Sequence, residues 1–168
     1  MKLRFALVGA ALFFSAGAAS AFGFFGGDVA PGTARDEVIA RMGRPTAVVP
    51  LPGGAERLQY SQQPAGQYAW MVDVDANGRV TASRQALTQA NFERIVPGQW
   101  TRTDVEREFG PPARIERVAS WDGPIMTYRW RDAGGADMFY SVYLDAQGIV
   151  RRAHPSMEVR DRFFDFRF

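Results

Sequence analysis

The sequence predicts an α+β fold built from two similar units, each with short helices packed on one face of an antiparallel sheet. Three observations predict it. First, PGTARDEVIARMGRP at residues 31–45 returns as PGQWTRTDVEREFGPP at residues 97–112. Second, Asp75-Ala76-Asn77-Gly78-Arg79-Val80 returns as Asp145-Ala146-Gln147-Gly148-Ile149-Val150. Third, both copies pass from helical spacing to strict alternation of apolar and polar residues. The offset between copies drifts from 66 at Gly32 and Gly98 to 70 at Gly78 and Gly148. Such a recurrence marks repeated supersecondary units with slightly longer loops in the second copy.

The first unit opens with a helix. Thr33 is the expected N-cap, and Asp36 and Glu37 fall in the first turn, where the helix dipole favours acids. Val38, Ile39 and Met42 make an apolar stripe at helical spacing. Gly43 and Pro45 are stop signals. In the second unit Thr101 or Thr103 caps the matching helix. Val105 and Phe109 take the places of Val38 and Met42, and Gly110 stops the helix before Pro111-Pro112. A further short helix is expected from Thr88 to about Ile95, with Phe92 and Ile95 on one face. Its counterpart in the first unit, residues 22–27, is too rich in glycine for the same reading.

Strands follow each helix. Leu58 and Tyr60 alternate with Arg57, Gln59 and Ser61; Trp70, Val72 and Val74 alternate with Met71 and Asp73. Asn77-Gly78 is expected to turn the chain tightly with positive φ, sending a last strand from Arg79 to about Gln85. In the second unit the strands are Met126 to Trp130, Tyr140 to Leu144 and, after Gln147-Gly148, Ile149 to Ala153. Period-2 patterning argues for antiparallel pairing with one face against the helices.

The organisation reads as an export signal at residues 1–21, a first repeat at 22–86, a second at 87–155 and an aromatic tail at 156–168. Lys2 and Arg4 precede an apolar run at residues 5–18, and Ala19-Ser20-Ala21 offers a small-residue cleavage site. The run is short for a membrane span. Cleavage would leave 147 residues with 18 basic and 18 acidic side chains, so the net charge of +2 lies in the signal and no nucleic-acid partner follows. No further long apolar stretch predicts a transmembrane span after cleavage. The chain has no cysteine. An exported protein without disulfides is held by packing and hydrogen bonds, and it lacks the thiol a lipid anchor requires.

Asn91-Phe92-x-x-Ile95-x-Pro97-Gly98, then Thr103-Asp104-Val105, then Phe109-Gly110-x-Pro112, resembles the BamE (SmpA/OmlA) family of outer-membrane assembly proteins. The duplicated layout is similar to the β-lactamase-inhibitor protein family, a tandem of like units. The resemblance spans residues 28–155. BamE-type proteins are usually lipid-anchored single units, and here there are two units and no cysteine. The matched residues are helix stops and packing positions, so the resemblance implies no functional residue. It implies a periplasmic protein that binds other proteins in envelope assembly, with a secreted inhibitor of a hydrolase as the alternative.

Candidate chemistry is sparse. His154 is the only histidine. It follows the last expected strand beside Pro155, and no cysteine or evident triad accompanies it. Asp73-Val74-Asp75-Ala76-Asn77-Gly78 matches the opening of a calcium loop, but Arg84 stands where the bidentate Glu is needed, so a hairpin is expected instead. Gly53-Gly54 and Gly134-Gly135 sit in no phosphate or dinucleotide pattern, and no cofactor is implied. No pair of carboxylates stands out for acid–base work.

The aromatics are more informative. Tyr60, Trp70, Tyr128, Trp130 and Tyr140 share the core parity of their strands. Gln59, Met71, Arg129, Phe139 and Tyr143 share the opposite parity. An open sheet face of that composition suits protein binding, and these five residues are the candidate partner site. The tail alternates Phe164, Phe166 and Phe168 with charge, the pattern of a strand that covers a sheet edge in cis or in trans.

Overall fold

The computed structural model describes residues 28–158. The expected export signal at residues 1–21, the glycine-rich residues 22–27 and residues 159–168 of the expected tail lie outside the described residues. Two four-stranded antiparallel sheets carry the fold, one in each repeat. The first sheet has the order β1 (Ala47–Pro50), β2 (Glu56–Ser61), β3 (Ala69–Val74), β4 (Val80–Gln85). The second has the order β5 (Arg114–Glu116), β6 (Ile125–Arg131), β7 (Asp137–Leu144), β8 (Val150–Met157). Helix α1 (Arg35–Met42) precedes the first sheet; α2 (Gln89–Phe92) and α3 (Arg102–Phe109) precede the second.

Helix α1 buries Val38 fully, with Ile39 and Met42 packed beside it. Gly43 closes it at φ 79°, where a side chain would strain the backbone. Its start corrects the expectation. The Thr33 hydroxyl donates to the Ala30 carbonyl at 2.7 Å, and Ala34, which has no capping side chain, is the N-cap. Backbone bonds join Gly32 to Val80 and Val80 to Thr33, and Ala34 bridges Arg79, so the chain stays extended through Ala34. In the second unit Thr101 is the cap. Its hydroxyl accepts from the Asp104 N–H at 3.2 Å, while the Asp104 carboxylate accepts from the Thr101 N–H at 2.9 Å. That is a reciprocal capping box, and Thr103 lies inside the helix. Helix α2 is shorter than expected, with Thr88 as its cap.

The two turns repeat each other atom for atom. The Asp75 carboxylate accepts from the N–H groups of Asn77 and Arg79, both at 2.9 Å. Asp145 does the same for Gln147 and Ile149, at 3.0 and 2.9 Å. These are five-residue connections rather than two-residue turns. Asn77 keeps negative φ and only Gly78 turns left-handed, because the aspartate side chain ties the loop from within. The sequence reading missed β1 and β5, short edge strands of 4 and 3 residues whose patterning is too brief to register. It also ended β8 too early. That strand runs on to Met157, past the expected repeat boundary at 155.

The layers stack in the order α1, first sheet, α2 and α3, second sheet. Leu58, Tyr60, Val72, Val74 and Val80 face α1. On the second sheet Met126, Tyr128, Trp130, Tyr140, Val142 and Leu144 face α2 and α3. Phe92 is the hub of that core: its ring stacks on Tyr140 at 4.0 Å and lies 4.8 Å from Phe109 and 5.6 Å from Trp130. The core parity read for Tyr60, Trp70, Tyr128, Trp130 and Tyr140 is the observed one, with Trp70 only partly covered.

Candidate functional site

The five candidate partner residues lie on two different surfaces. Gln59 and Met71 pair across β2 and β3, on the face of the first sheet away from α1. That face is not open: Gln59 is 2% exposed and Met71 is 1% exposed. Helix α3 of the second unit covers it. The Gln59 amide donates to the carbonyls of Glu106 and Arg107, at 2.9 and 3.1 Å. The Met71 side chain packs in the core between sheet and helix. Both residues therefore belong to the contact between units, which corrects the expectation of one open face.

Charge accompanies that contact. Arg57 donates to both oxygens of Asp73, at 2.6 and 2.9 Å, and to the Glu108 carboxylate at 2.9 Å. Arg84 reaches the other Glu108 oxygen at 2.6 Å. The hydrogen bonds from Asp73 and Glu108 hold the Arg57 guanidinium charged against the cost of burial, its pKa raised. Burial, then repulsion from Arg57, lowers that of Arg84, one of whose terminal nitrogens is buried without a partner. Burial pushes the Glu108 carboxyl up, but the hydrogen bond and charge of Arg57 and the charge of Arg84 bring it below its ordinary value. Arg107 adds a third guanidinium at 3.4 Å, and cations converging on one carboxylate hold the elements together.

Arg129, Phe139 and Tyr143 do share a face, the outer one of the second sheet. The register aligns Ile125, Tyr143 and Arg152 in one row, Thr127, Ser141 and His154 in the next, and Arg129, Phe139 and Ser156 in a third. Arg129 is already committed. It donates to the Glu158 carboxylate at 3.0 and 2.8 Å and to the carbonyls of Pro64 and Ala65. Gln63 exchanges hydrogen bonds with its backbone at 2.8 and 3.1 Å. The loop between β2 and β3 thus clamps the end of the second sheet through Arg129.

Ile125 and Thr127 of β6 are buried, and the β7–β8 side of the face is partly exposed. Tyr143 lies edge-on to Trp121 at 5.3 Å and stacks on His154 at 5.3 Å. The Arg152 guanidinium sits 4.0 Å from the Tyr143 ring centroid and 5.5 Å from that of Trp121. Arg114 lies over Phe139 at 4.9 Å. Trp121 is anchored by its indole N–H on the Leu144 carbonyl at 2.7 Å. Arg152 is exposed and pairs with no carboxylate among the described residues. The arrangement offers stacking surface and cationic donors, the composition of a recognition surface. Sequence reasoning missed Trp121, Arg114 and Arg152. Arg152 lies within the expected strand Ile149 to Ala153 and could have been found from its alternation, but Trp121 sits in an irregular loop without periodicity.

His154 is in β8, opposite Ser141, and not beyond the last strand as expected. Its Nδ1 lies 3.3 Å from the Pro155 carbonyl. Asp75 spends its carboxylate on the turn N–H groups. A groove of about 630 Å³ opens between β1 and α3, lined by Ala47, Val49, Pro50, Thr103, Glu106 and Pro111 among others. No helix among the described residues is long and apolar enough to cross a membrane.

No protein-family model matches the chain, and no curated protein does. Among solved structures it is similar to a DUF4309-family protein of Bacillus subtilis at 15% identity and a TM-score of 0.29, covering 75% of this chain and 79% of that one. It is also similar to an extracellular protein containing an SCP domain from Bacillus anthracis at 13% identity and a TM-score of 0.29, covering 77% of this chain and 50% of that one. Similarity at that level places no constraint on what the chain does.

Proposed function

We propose that this chain is an exported, non-enzymatic binding protein of the periplasm, of BamE (SmpA/OmlA) type, which contacts a protein of outer-membrane or cell-envelope assembly. One observation carries the proposal. The two sheets present equivalent faces; α3 buries the first, while the β7–β8 side of the second stays partly exposed with Phe139, Tyr143, Trp121 and an Arg152 that no described carboxylate pairs. Four acids have structural roles that support action by contact: Asp75 and Asp145 tie turns, Asp104 caps a helix, and Glu108 joins the units. In this reading residues 1–21 supply the export route.

The test is photocrosslinking in living cells, with Tyr143 replaced by p-benzoylphenylalanine. Capture of envelope-assembly proteins is expected. Recovery of a soluble hydrolase alone would instead support the inhibitor reading. Undiminished binding in the Phe139→Ala, Tyr143→Ala double variant would remove the face from the mechanism.

A further inference from the structure

We propose that the outer face of the second sheet receives a helix from another protein, one whose last turn carries a carboxylate. The proposal rests on the reading that this face binds protein, and it names the chemistry of the partner.

The first repeat supplies the template. Its equivalent face is covered by a helix, α3, in this same chain. There Gln59 meets the backbone carbonyls of the helix's last turn, and Arg57 and Arg84 grip Glu108 from that turn. The offset of 68 between Tyr60 and Tyr128 puts Thr127 in the place of Gln59. The offset of 70 between Trp70 and Tyr140 puts Tyr143 in the place of Asp73, and His154 in the place of Arg84. The acid of the first sheet has become an aromatic, and a cation, Arg152, has appeared beside it. On the first sheet Asp73 occupies part of Arg57's capacity. On the second sheet no described carboxylate satisfies Arg152, and its guanidinium rests on two rings. The complement to such a site is an anion delivered on an apolar or mixed surface.

The same comparison argues against a second copy of this chain as occupant. In a head-to-tail stack α1 of the next copy would take the role of α3. The offset of 67 between Gly43 and Gly110 places Arg41 where α3 has Glu108. Arg41 would then face Arg152, like charge against like. Helix α3 itself is held inside its own chain. A partner helix with Glu or Asp in its final turn meets both requirements, charge and shape.

The probe is a stapled helical peptide copying residues 101–109, TRTDVEREF, added to the isotope-labelled full chain. Amide signals of Ser141, Tyr143, Arg152 and His154 should shift. A peptide with Glu108→Gln, or a chain with Arg152→Ala, should bind about tenfold more weakly, the loss of one charge-assisted hydrogen bond. Equal binding of the Glu108→Gln or Glu108→Arg peptide overturns the proposal, as do shifts confined to the groove between β1 and α3. Crosslinking of the purified chain from position 143 into itself or into a second copy overturns it as well. If cellular crosslinks from position 143 persist while the peptides show no dependence on the acid, the face binds protein by another chemistry: the inference fails and the functional reading survives. If both are negative, both fail.

Discussion

Arg57 in β2 and Glu108 at the end of α3 meet across the contact between the two repeats, 2.9 Å apart, with Arg57 only 7% exposed. Truncating Glu108 to alanine leaves Arg84 without its carboxylate and Arg57 with Asp73 and the Arg107 carbonyl. Breaking a largely buried pair costs about 3–5 kcal/mol, and the retained Asp73 places this case near the lower end. Glu108→Ala should therefore lower the unfolding free energy by about 3 kcal/mol in urea titrations. The loss should appear in a single transition, because α3 serves both sheets.

The same carboxylate makes the fold sensitive to acid. Glu108 is held below its ordinary value of 4.5 in the folded chain. Asp104 is likewise lowered from 3.8, first by the Thr101 backbone N–H and then by the Thr101 hydroxyl. A carboxyl with a depressed folded pKa contributes stability that is complete above its unfolded value and is lost as pH falls through its folded value. Stability should thus hold above pH 4.5 and decline steadily below it. Glu108→Gln should start less stable and show a shallower acid limb, read by urea unfolding at a series of pH values.

The two tyrosines at equivalent positions should respond unequally. Tyr128 donates its hydroxyl to the Gly110 carbonyl at 2.9 Å, and both are buried. Tyr60 donates to Gly43 at 3.2 Å, where the glycine is exposed. Losing a hydrogen bond inside the core strands a buried carbonyl, at about 1–3 kcal/mol, whereas water replaces the partner at the surface. Tyr128→Phe should cost more than 1 kcal/mol and Tyr60→Phe less, in the same denaturation assay.

Much of this was legible in the sequence, and the part that was not has a physical reason. The duplication, the glycine stops at Gly43 and Gly110, and the alternation in β2, β3, β6 and β7 are local signals, and they place core and outer parity correctly. Whether an outer face is covered is not local. Gln59 and Met71 read like Arg129 and Phe139, and only the stacking of α3 onto the first sheet tells them apart. Gln63 and Arg129 likewise meet across 66 positions of sequence. Trp121 entered the candidate site through packing, which periodicity does not report.

The caps of the two long helices give the last prediction. Thr101 and Asp104 form a capping box at α3, whereas the equivalent pair at α1 is Ala34 and Glu37. The acid is in place and the hydroxyl is missing. Ala34 already has the extended backbone an N-cap needs, with φ −70° and ψ 143°. Its carbonyl already accepts from the Val38 N–H at 3.1 Å, as that of Thr101 does from Val105. Serine at position 34 would offer its hydroxyl to the Glu37 N–H and free Glu37 to turn back onto the N-cap backbone. Ala34→Ser should therefore raise stability by about 1 kcal/mol, and Thr101→Ala should lower it by about 1–2 kcal/mol. If Ala34→Ser stabilises no more than Ala34→Gly in thermal unfolding, backbone freedom rather than capping governs that helix start.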